Sequence, residues 1–333
     1  MENLVLCRLV DVKKYFAIPQ RFHIRHLLGG APPPRVVKAL DGISLEIRQG
    51  KTLGLVGESG CGKTTTGRLV MRADRPSAGE ILFNGTDITH LTGEALFHYR
   101  RQAQIIYQDP FTSLNPRMTV RRIIREPLEV HRVVPAAAME DRVQALLAKV
   151  GLDRSAADRY PHEFSGGQIK RVAIARAIAV EPKLLVADEA VSGLDLSVKA
   201  QILNLLQDLQ EELGLTYIFI SHDLGVVQYV CHMVAVMYLG RVVELGTPAR
   251  IFKAPQHPYT IALLQSFPRM KGEVSDFEIR ATIRGEIPSP IDLPPGCRFQ
   301  QRCPKKQARC EQEEPELLPV GDGHQAACFY PGP

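Results

Sequence analysis

The glycine-rich segment at residues 57–64 constrains the fold of this chain more than any other feature. It has the sequence GESGCGKT, follows the apolar run TLGLVG of residues 52–57 and opens a helix-like segment. Glycines let the backbone turn tightly around a polyphosphate with its N–H groups pointing inward, and the following helix adds its positive N-terminal end. The pattern therefore predicts a nucleotide-phosphate-binding loop. The residues predicted to bind there are Gly57, Glu58, Ser59, Gly60, Cys61, Gly62, Lys63, Thr64 and Thr65.

Two adjacent carboxylates end a second apolar run, LLVADE, at residues 184–189. Asp188 is predicted to hold Mg²⁺ through its water shell, and the hydroxyl of Thr64 is predicted to bind the ion. Glu189, one residue later, can polarise the attacking water as a general base. Lys63 is predicted to reach the β- and γ-phosphates. Together, the loop and the carboxylates predict a nucleotide hydrolase.

Apolar runs alternate with helical patterns along much of the chain. Residues 52–57, 184–189 and 216–221 are nearly uniformly apolar, as expected for parallel strands that are covered on both faces. Residues 141–150 and 199–213 place their apolar side chains on one helix face, and a glycine follows each. This alternation predicts a doubly wound α/β domain. Residues 111–179 are mostly helical in pattern and are interpreted as an inserted helical subdomain.

The composition is that of an ordinary globular protein. The 333 residues are 45% hydrophobic and 23% charged. No run approaches the roughly 18 apolar residues of a membrane helix, and the start has no basic region before an apolar core. The formal net charge of +5 is mild, with both signs alternating along most of the chain, and it does not call for nucleic acid. These features predict a peripheral protein of the cytoplasm.

Residues 164–168, FSGGQ, resemble the signature sequence of ATP-binding cassette (ABC) proteins, usually LSGGQ. A small hydroxyl and two glycines at a helix start can cap a phosphate. The resemblance implies that this phosphate belongs to ATP held by the opposite subunit, so that two cassettes enclose two nucleotides. The residues implied to act in trans are Ser165, Gly166, Gly167, Gln168 and Asp195, the last in the D-loop-like segment SGLD.

Two further elements follow the family order over about residues 1–265. Gln108, in IYQDP, looks like the Q-loop glutamine, which senses Mg²⁺ and couples to the membrane partner. His222, in ISHD, looks like the switch histidine that contacts the γ-phosphate and positions Glu189. The implied catalytic residues are Glu189, His222, Lys63 and Gln108, and the implied Mg²⁺ residues are Thr64, Gln108 and Asp188.

Three departures from the family pattern stand close to these motifs. Ala190 replaces a usual Pro, Gly193 replaces a common Ala, and Ile169-Lys170 replaces Arg-Gln after the signature. None of them removes a catalytic group, so hydrolysis is still expected.

A finer resemblance points to the ATPases of dipeptide and oligopeptide importers, and within them to the second, F-type subunit. It is carried by residues 54–63, 109–117, 160–165 and 257–264. It implies a location on the cytoplasmic face of the inner membrane and three kinds of partner. These are a second ABC ATPase subunit in a heterodimer, two transmembrane permease subunits and an extracytoplasmic peptide-binding protein. Alternatives are a nickel, glutathione or other small-solute importer with the same cassette and, less favoured, a soluble non-transport ABC ATPase.

The adenine of ATP is expected to stack on an aromatic side chain at the end of the first strand. Phe16 aligns best with the family's A-loop aromatic, and Tyr15 is the alternative. Stacking on a ring face tolerates any base.

Four of the seven cysteines lie in a Pro-rich region near the C-terminus, with the spacing C-x₅-C-x₆-C-x₁₇-C. Residues 266–333 are interpreted as a small appendage to a cassette of residues 1–265. Four thiolates suit an iron–sulfur cluster or Zn²⁺, and the spacing is not that of an ordinary zinc ribbon. Four unligated thiols are the remaining alternative. The resemblance to the importer ATPases implies a [4Fe–4S] cluster. Its ligands would be Cys297, Cys303, Cys310 and Cys328.

Overall fold

Two β-sheets and the helices that cover them form residues 4–18, 35–265 and 288–332, the parts of the chain that this computed structural model describes. The strands are β1 (Val5–Ala17), β2 (Val36–Arg48), β3 (Thr52–Val56), β4 (Ala78–Phe83), β5 (Thr86–Asp87), β6 (Ala103–Ile106), β7 (Leu184–Asp188), β8 (Thr216–Ile220), β9 (Met233–Tyr238), β10 (Arg241–Gly246), β11 (Leu318–Gly321) and β12 (His324–Ala326).

The larger sheet has eight strands in the order β11-β12-β10-β9-β3-β8-β7-β6. Its five strands from β9 to β6 are parallel, and every residue of β3, β7 and β8 is buried. The three strands predicted from apolar runs are therefore confirmed. Because parallel strands end at the same sheet edge, the residues that follow β3, β6, β7 and β8 come together there.

The smaller sheet is antiparallel, in the order β2-β1-β4-β5. Its inward side chains, among them Leu9, Ile43 and Ile81, share one hydrophobic core with Leu55 and Ile218 of the larger sheet. It therefore covers one face of the parallel strands. The sequence pattern predicted a doubly wound α/β domain, and this antiparallel sheet was not part of that prediction.

The helices are α1 (Lys63–Val70), α2 (Gly93–Gln102), α3 (Pro110–Ser113), α4 (Val120–Val130), α5 (Met139–Lys149), α6 (Gly166–Ile178), α7 (Leu196–Leu213), α8 (Leu224–Val230), α9 (Pro248–Lys253), α10 (Pro258–Gln265) and α11 (Ala308–Gln312). The helix predicted at 199–213 begins three residues earlier and ends before Gly214, which adopts the left-handed conformation that stops a helix. The helix predicted at 141–150 is α5.

Helices α3 to α6 lie between β6 and β7, where the sequence pattern predicts a helical insertion. Ile123 and Leu128 of α4, Val143 and Leu147 of α5 and Val172 of α6 are buried together in one core. That core also contains residues of the larger sheet, such as Leu185. Whether these helices form a subdomain of their own stays a prediction.

The C-terminal segment, residues 288–332, adds β11 and β12 to the edge of the larger sheet. Strand β12 pairs with β10, and Glu244 of β10 lies opposite Ala326. Glu244 is fully buried and binds His324 of β12 at 2.7 Å between Oε1 and Nε2. The segment is thus joined to the sheet by main-chain and side-chain bonds. The domain division at residues 265 and 266 stays a prediction.

Within the described ranges, none of the helices has the length and apolar character that crossing a bilayer requires.

Candidate active site

The glycine-rich loop connects β3 to α1, as the sequence predicts. Gly62 has φ 108°, and a Cβ atom there would lie 2.6 Å from the carbonyl oxygen of Ala39, so a side chain is excluded. Lys63 is buried, and its Nζ donates to the carbonyl oxygens of Gly57 at 2.7 Å and Glu58 at 3.0 Å. The loop is therefore held in a ring-like shape around the ammonium group of Lys63.

Asp188, the last residue of β7, faces the start of α1. Its Oδ1 accepts a hydrogen bond from the Thr64 hydroxyl at 3.3 Å. Burial raises the pKa of Asp188, and the hydrogen bond from Thr64 partly opposes that rise. A carboxylate and a hydroxyl side by side are the oxygen donors that Mg²⁺ prefers. The residues present therefore fit a magnesium ion, which Thr64 and Asp188 would hold.

Glu189 lies where the residues that follow β6, β7 and β8 come together. Its carboxylate accepts from Nε2 of Gln108 at 2.5 Å and lies 3.3 Å from Nδ1 of His222. Its backbone has φ 48°, which is uncommon for a residue other than glycine and often marks a functional site. The structure thus brings Gln108, Glu189 and His222 together next to Asp188. The resemblance implied the proximity of His222 to Glu189, and the catalytic roles of these residues stay predictions.

Lys170 makes a further contact to Gln108 that the sequence did not predict. The ammonium group of Lys170, on α6, donates to the carbonyl oxygen of Gln108. Lys170 is buried, and burial lowers its pKa while Asp109, Glu189 and Asp188 oppose the shift. The sequence did mark this position, because residue 170 is one of the departures from the family pattern. Lys170 connects the signature helix to the Q-loop.

The signature segment begins α6 as predicted. Ser165 caps the helix by accepting from the N–H of Gln168, and the Gln168 side chain accepts from the N–H of Ser165. A Cβ atom on Gly167 would lie 2.4 Å from a methyl group of Val198 on α7, so a side chain at this position would displace Val198. Ser165, Gly166 and Gln168 are exposed.

The D-loop-like segment leads into α7, and Asp195 is the exposed residue before that helix. Lys199, in the first turn of α7, binds Asp223 at 2.7 Å between Nζ and Oδ2. Asp223 directly follows His222 and caps α8. The start of α7 is therefore tied to the loop that carries the switch histidine, a second link that the sequence did not predict.

Tyr15 and Phe16 stand at the end of β1 in different environments. The Tyr15 hydroxyl donates to Asp41 on β2, and burial together with Asp41 raises the Tyr15 pKa to about 12. Phe16 is 40% exposed, and Nζ of Lys14 lies 4.8 Å from the centre of its ring. Because Phe16 is more exposed than Tyr15, it is the better candidate for stacking, although its role stays a prediction.

The four C-terminal cysteines are free thiols that line one small cavity, together with His257 and Phe299. Burial raises the pKa of the Cys297 thiol to about 12 and also raises the pKa of Cys303 and Cys328. In residues 4–18, 35–265 and 288–332, no three or more His, Cys, Asp or Glu side chains are arranged to hold a metal ion. The predicted iron–sulfur or zinc site is therefore not supported as a preformed ligand set. The four thiols nevertheless line the same cavity, and sulfur is the donor that such a group takes.

Two family descriptions match the chain. The one described as "ABC transporter" covers residues 40–192, and the one described as "Oligopeptide/dipeptide transporter, C-terminal region" covers residues 243–310. The oligopeptide transport ATP-binding protein AppF of Bacillus subtilis (strain 168) is 47% identical over 324 residues, which is 97% of this chain and 96% of AppF. The dipeptide transport ATP-binding protein DppF of Escherichia coli (strain K12) is 46% identical over 324 residues, 97% of this chain and 94% of DppF.

The chain belongs to the ATP-binding proteins of the ABC transporter family. It is therefore an ATPase of the ABC type.

Solved structures agree with this assignment. The structure of cbiO1 from Clostridium perfringens, part of the ABC transporter complex cbiONQ, has a TM-score of 0.63 and 29% identity, covering 74% of this chain and 90% of cbiO1. The dimeric post-hydrolysis structure of the ATP-binding cassette MJ0796, bound to ADP and Pi, has a TM-score of 0.63 and 26% identity, covering 73% of this ABC ATPase and 98% of MJ0796.

Proposed function

We propose that this ABC ATPase powers the import of dipeptides or oligopeptides across the cytoplasmic membrane. The observation that carries the proposal is the match over nearly the whole chain to transport ATP-binding proteins whose names specify peptides. The match includes the region beyond residue 243, for which the family description itself names oligopeptide and dipeptide transport. The ATPase would work at the cytoplasmic face of the inner membrane as a peripheral subunit.

The chemistry is hydrolysis of ATP to ADP and phosphate. Lys63 and the loop N–H groups bind the β- and γ-phosphates, and Mg²⁺ at Thr64 and Asp188 would offset phosphate charge. Glu189 takes a proton from the attacking water. Gln108 and His222 hold the Glu189 carboxylate from two sides, at 2.5 Å and 3.3 Å, which orients it. Adenine stacks on Phe16.

Each site is completed by a second cassette. The exposed Ser165, Gly166 and Gln168 supply the start of α6 to a nucleotide held by the partner, and Asp195 approaches the same interface. The partner is a second ABC ATPase in a heterodimer. Because each chain holds only one half of each site, the isolated chain at low concentration should hydrolyse ATP poorly.

The membrane subunits dock beside the Q-loop. Tyr107 and Phe111 flank Gln108 and Asp109 and are 41% and 47% exposed, and Val130 at the end of α4 is 54% exposed. These apolar side chains offer a contact for the two permeases, and Gln108 connects that contact to Glu189. A peptide-binding protein outside the membrane would deliver the peptide.

The four C-terminal cysteines are proposed to ligate a [4Fe–4S] cluster with a structural role. Support comes from four free thiols around one cavity and from sulfur donor chemistry. Anaerobic purification should give brown protein with about four iron and four sulfide per chain. The variant Cys297→Ser should lose both, whereas Cys231→Ala, which alters a buried cysteine outside this cavity, should retain both. Colourless protein with stoichiometric zinc, or without metal, would contradict the cluster.

Peptide uptake tests the transport function. A strain that lacks this ATPase should fail to take up a labelled dipeptide or oligopeptide, and the wild-type gene should restore uptake while Glu189→Gln should not. Uptake of the free amino acid is the control and should be unchanged. Intact peptide uptake together with lost nickel or glutathione uptake would contradict the proposal and favour a different solute.

A further inference from the structure

The C-terminal segment contacts the phosphate-binding loop directly. Arg302 lies 244 residues after Glu58, yet its two terminal nitrogens bind both carboxylate oxygens of Glu58, at 2.8 Å and 2.9 Å. The Arg302 side chain is only 5% exposed and that of Glu58 is 23% exposed. A bidentate, largely buried pair of this kind has a defined geometry, unlike an ion pair between two mobile surface side chains.

A cluster of three aromatic side chains lies beside Arg302 and helps to fix its position. Its Nη1 also contacts the Tyr238 hydroxyl at 3.3 Å, and the rings of Tyr238, Tyr259 and Phe299 pack with centres 4.6 to 5.5 Å apart. All three rings are almost fully buried. The Tyr259 hydroxyl accepts from the backbone N–H of Glu58 at 2.8 Å. Glu58 of the phosphate loop is therefore held by two separate residues from beyond residue 250, Tyr259 and Arg302.

A second contact reaches the region where adenine is expected. Arg298 is buried and donates to Oδ2 of Asp41 at 2.6 Å and to Oε1 of Glu314 at 2.8 Å. Asp41 in turn accepts from the Tyr15 hydroxyl at the end of β1. The same C-terminal segment thus borders both ends of the nucleotide site.

We propose that Arg302 is a positioning residue for nucleotide binding, through which the C-terminal segment controls the shape and charge of the phosphate loop. Lys63 holds the carbonyl of Glu58, Tyr259 holds its N–H, and Arg302 holds its carboxylate. An array of inward N–H groups binds phosphate only while the loop keeps this shape. The guanidinium also neutralises a carboxylate that would otherwise repel the incoming phosphates.

The coupling is reciprocal. If docking of the C-terminal segment raises nucleotide affinity, nucleotide must strengthen docking by the same factor. The inference rests on ATP binding at the loop and does not depend on which solute is transported.

The test measures the affinity of the full-length chain for MgADP, a probe that is not hydrolysed. Arg302→Gln should weaken binding about tenfold, within the usual range of such couplings. Arg302→Lys should recover only part of the loss, because an ammonium group cannot make the bidentate contact. The matched control is Lys306→Gln, which removes an exposed ion pair with Glu311 in the same segment and should leave affinity unchanged.

The deciding variant is the double substitution Arg302→Gln with Glu58→Gln. Removing the unpaired carboxylate should restore the part of the affinity that Arg302→Gln loses through charge repulsion, while the part lost with the loop shape stays lost. A role of Arg302 confined to fold stability predicts no such recovery. Equal affinity of the wild type and Arg302→Gln, or no gain in the double variant, would overturn the proposal.

A measurement on the unmodified chain covers the case in which the variants do not fold. MgADP should slow hydrogen exchange of the backbone amides at residues 297–302, and unchanged exchange would overturn the coupling. If the wild type itself failed to bind MgADP, the assigned role of the phosphate loop would be wrong instead.

Discussion

The two halves of the nucleotide site differ in how the chain holds them. In the phosphate half (Lys63, Thr64, Gln108, Asp188 and Glu189), contacts between distant segments fix every side chain except Lys63, which binds carbonyl groups of its own loop, and Lys63 and Asp188 are buried. In the signature half (Ser165, Gly166, Gly167 and Gln168), local capping fixes the start of α6, and three of the four residues are exposed. The difference fits the proposal that this chain assembles one half of its site and presents the other half to a partner.

The largest expected effect comes from the phosphate half. Glu189→Gln keeps the shape of the side chain but removes the general base, so turnover in the assembled transporter should fall by about 10²–10⁴-fold while ATP still binds. Steady-state hydrolysis and equilibrium ATP binding measure the two properties. The control is Glu211→Gln, an exposed acid on α7. Near-normal turnover of Glu189→Gln would show that the base lies elsewhere.

A substitution in the signature half should affect turnover only in the paired state. Ser165→Ala removes the hydroxyl that we propose as a phosphate ligand, and loss of one such donor costs about 10²-fold in turnover. Nucleotide affinity of the single chain should be unchanged. Because Ser165 also caps α6, the substitution should lower the free energy of unfolding by about 1 kcal/mol.

The matched control for that cap is Thr247→Ala, since Thr247 caps α9 by accepting from the N–H of Arg250. It should cost similar stability without slowing hydrolysis. If Ser165→Ala weakened ATP binding by the dilute single chain, the proposed division between the two halves would fail.

The two aromatic side chains at the end of β1 should separate in their effect on affinity. Phe16→Ala should weaken nucleotide binding by about 1–3 kcal/mol, the usual value of stacking on a base. Tyr15→Phe keeps the ring and loses only the hydrogen bond to Asp41, so a smaller effect is expected. Titration with MgADP compares them. Unchanged affinity in both Phe16→Ala and Tyr15→Ala would place the base elsewhere.

Lys170 connects the two halves, because it lies on the signature helix and holds the Q-loop carbonyl of Gln108. Lys170→Met should lower kcat several-fold, on the scale of losing one buried hydrogen-bond partner, with little change in KM. Lys170→Gln, which keeps a donor and restores the usual family residue, should recover part of the rate. Equal rates for Met and Gln would indicate that the contact has no part in hydrolysis.

The parts of the fold that the sequence predicts are those specified locally. Strands β3, β7 and β8 are continuous apolar runs, and α7 ends where Gly214 favours the left-handed conformation. The antiparallel sheet was not predicted. Strand β1 pairs with both β2 and β4, and the choice between partners depends on the assembled core.

The site shows the same distinction between local and distant information. Lys63, Asp188 and Glu189 were identified because each sits at a fixed position next to a strand end. Lys170 and Arg302 act on residues 62 and 244 positions away, and no local pattern indicates such contacts. The departure from the family pattern at Lys170 was the one sequence signal, and its meaning needed the position of the Gln108 carbonyl.

The smallest expected effect concerns the stability of the nucleotide-free chain. It tests whether burial of a charged side chain in the phosphate half lowers the free energy of unfolding, which an exposed charge would not do. Burial raises the pKa of Asp188, so its ionised form destabilises the folded state at neutral pH. Asp188→Asn should therefore raise Tm. The gain in Tm should shrink as the pH falls through the raised pKa of Asp188, because the protonated carboxyl group is no longer a buried charge.

The control is Asp208→Asn, which alters an exposed acid on α7 and should leave Tm unchanged. Asp188→Asn should also lose the Mg²⁺-dependent part of the Tm increase that nucleotide gives to the wild type. A lower Tm for Asp188→Asn would mean that the carboxylate stabilises the fold through Thr64 and its charged neighbours, and the phosphate half would then carry no such cost.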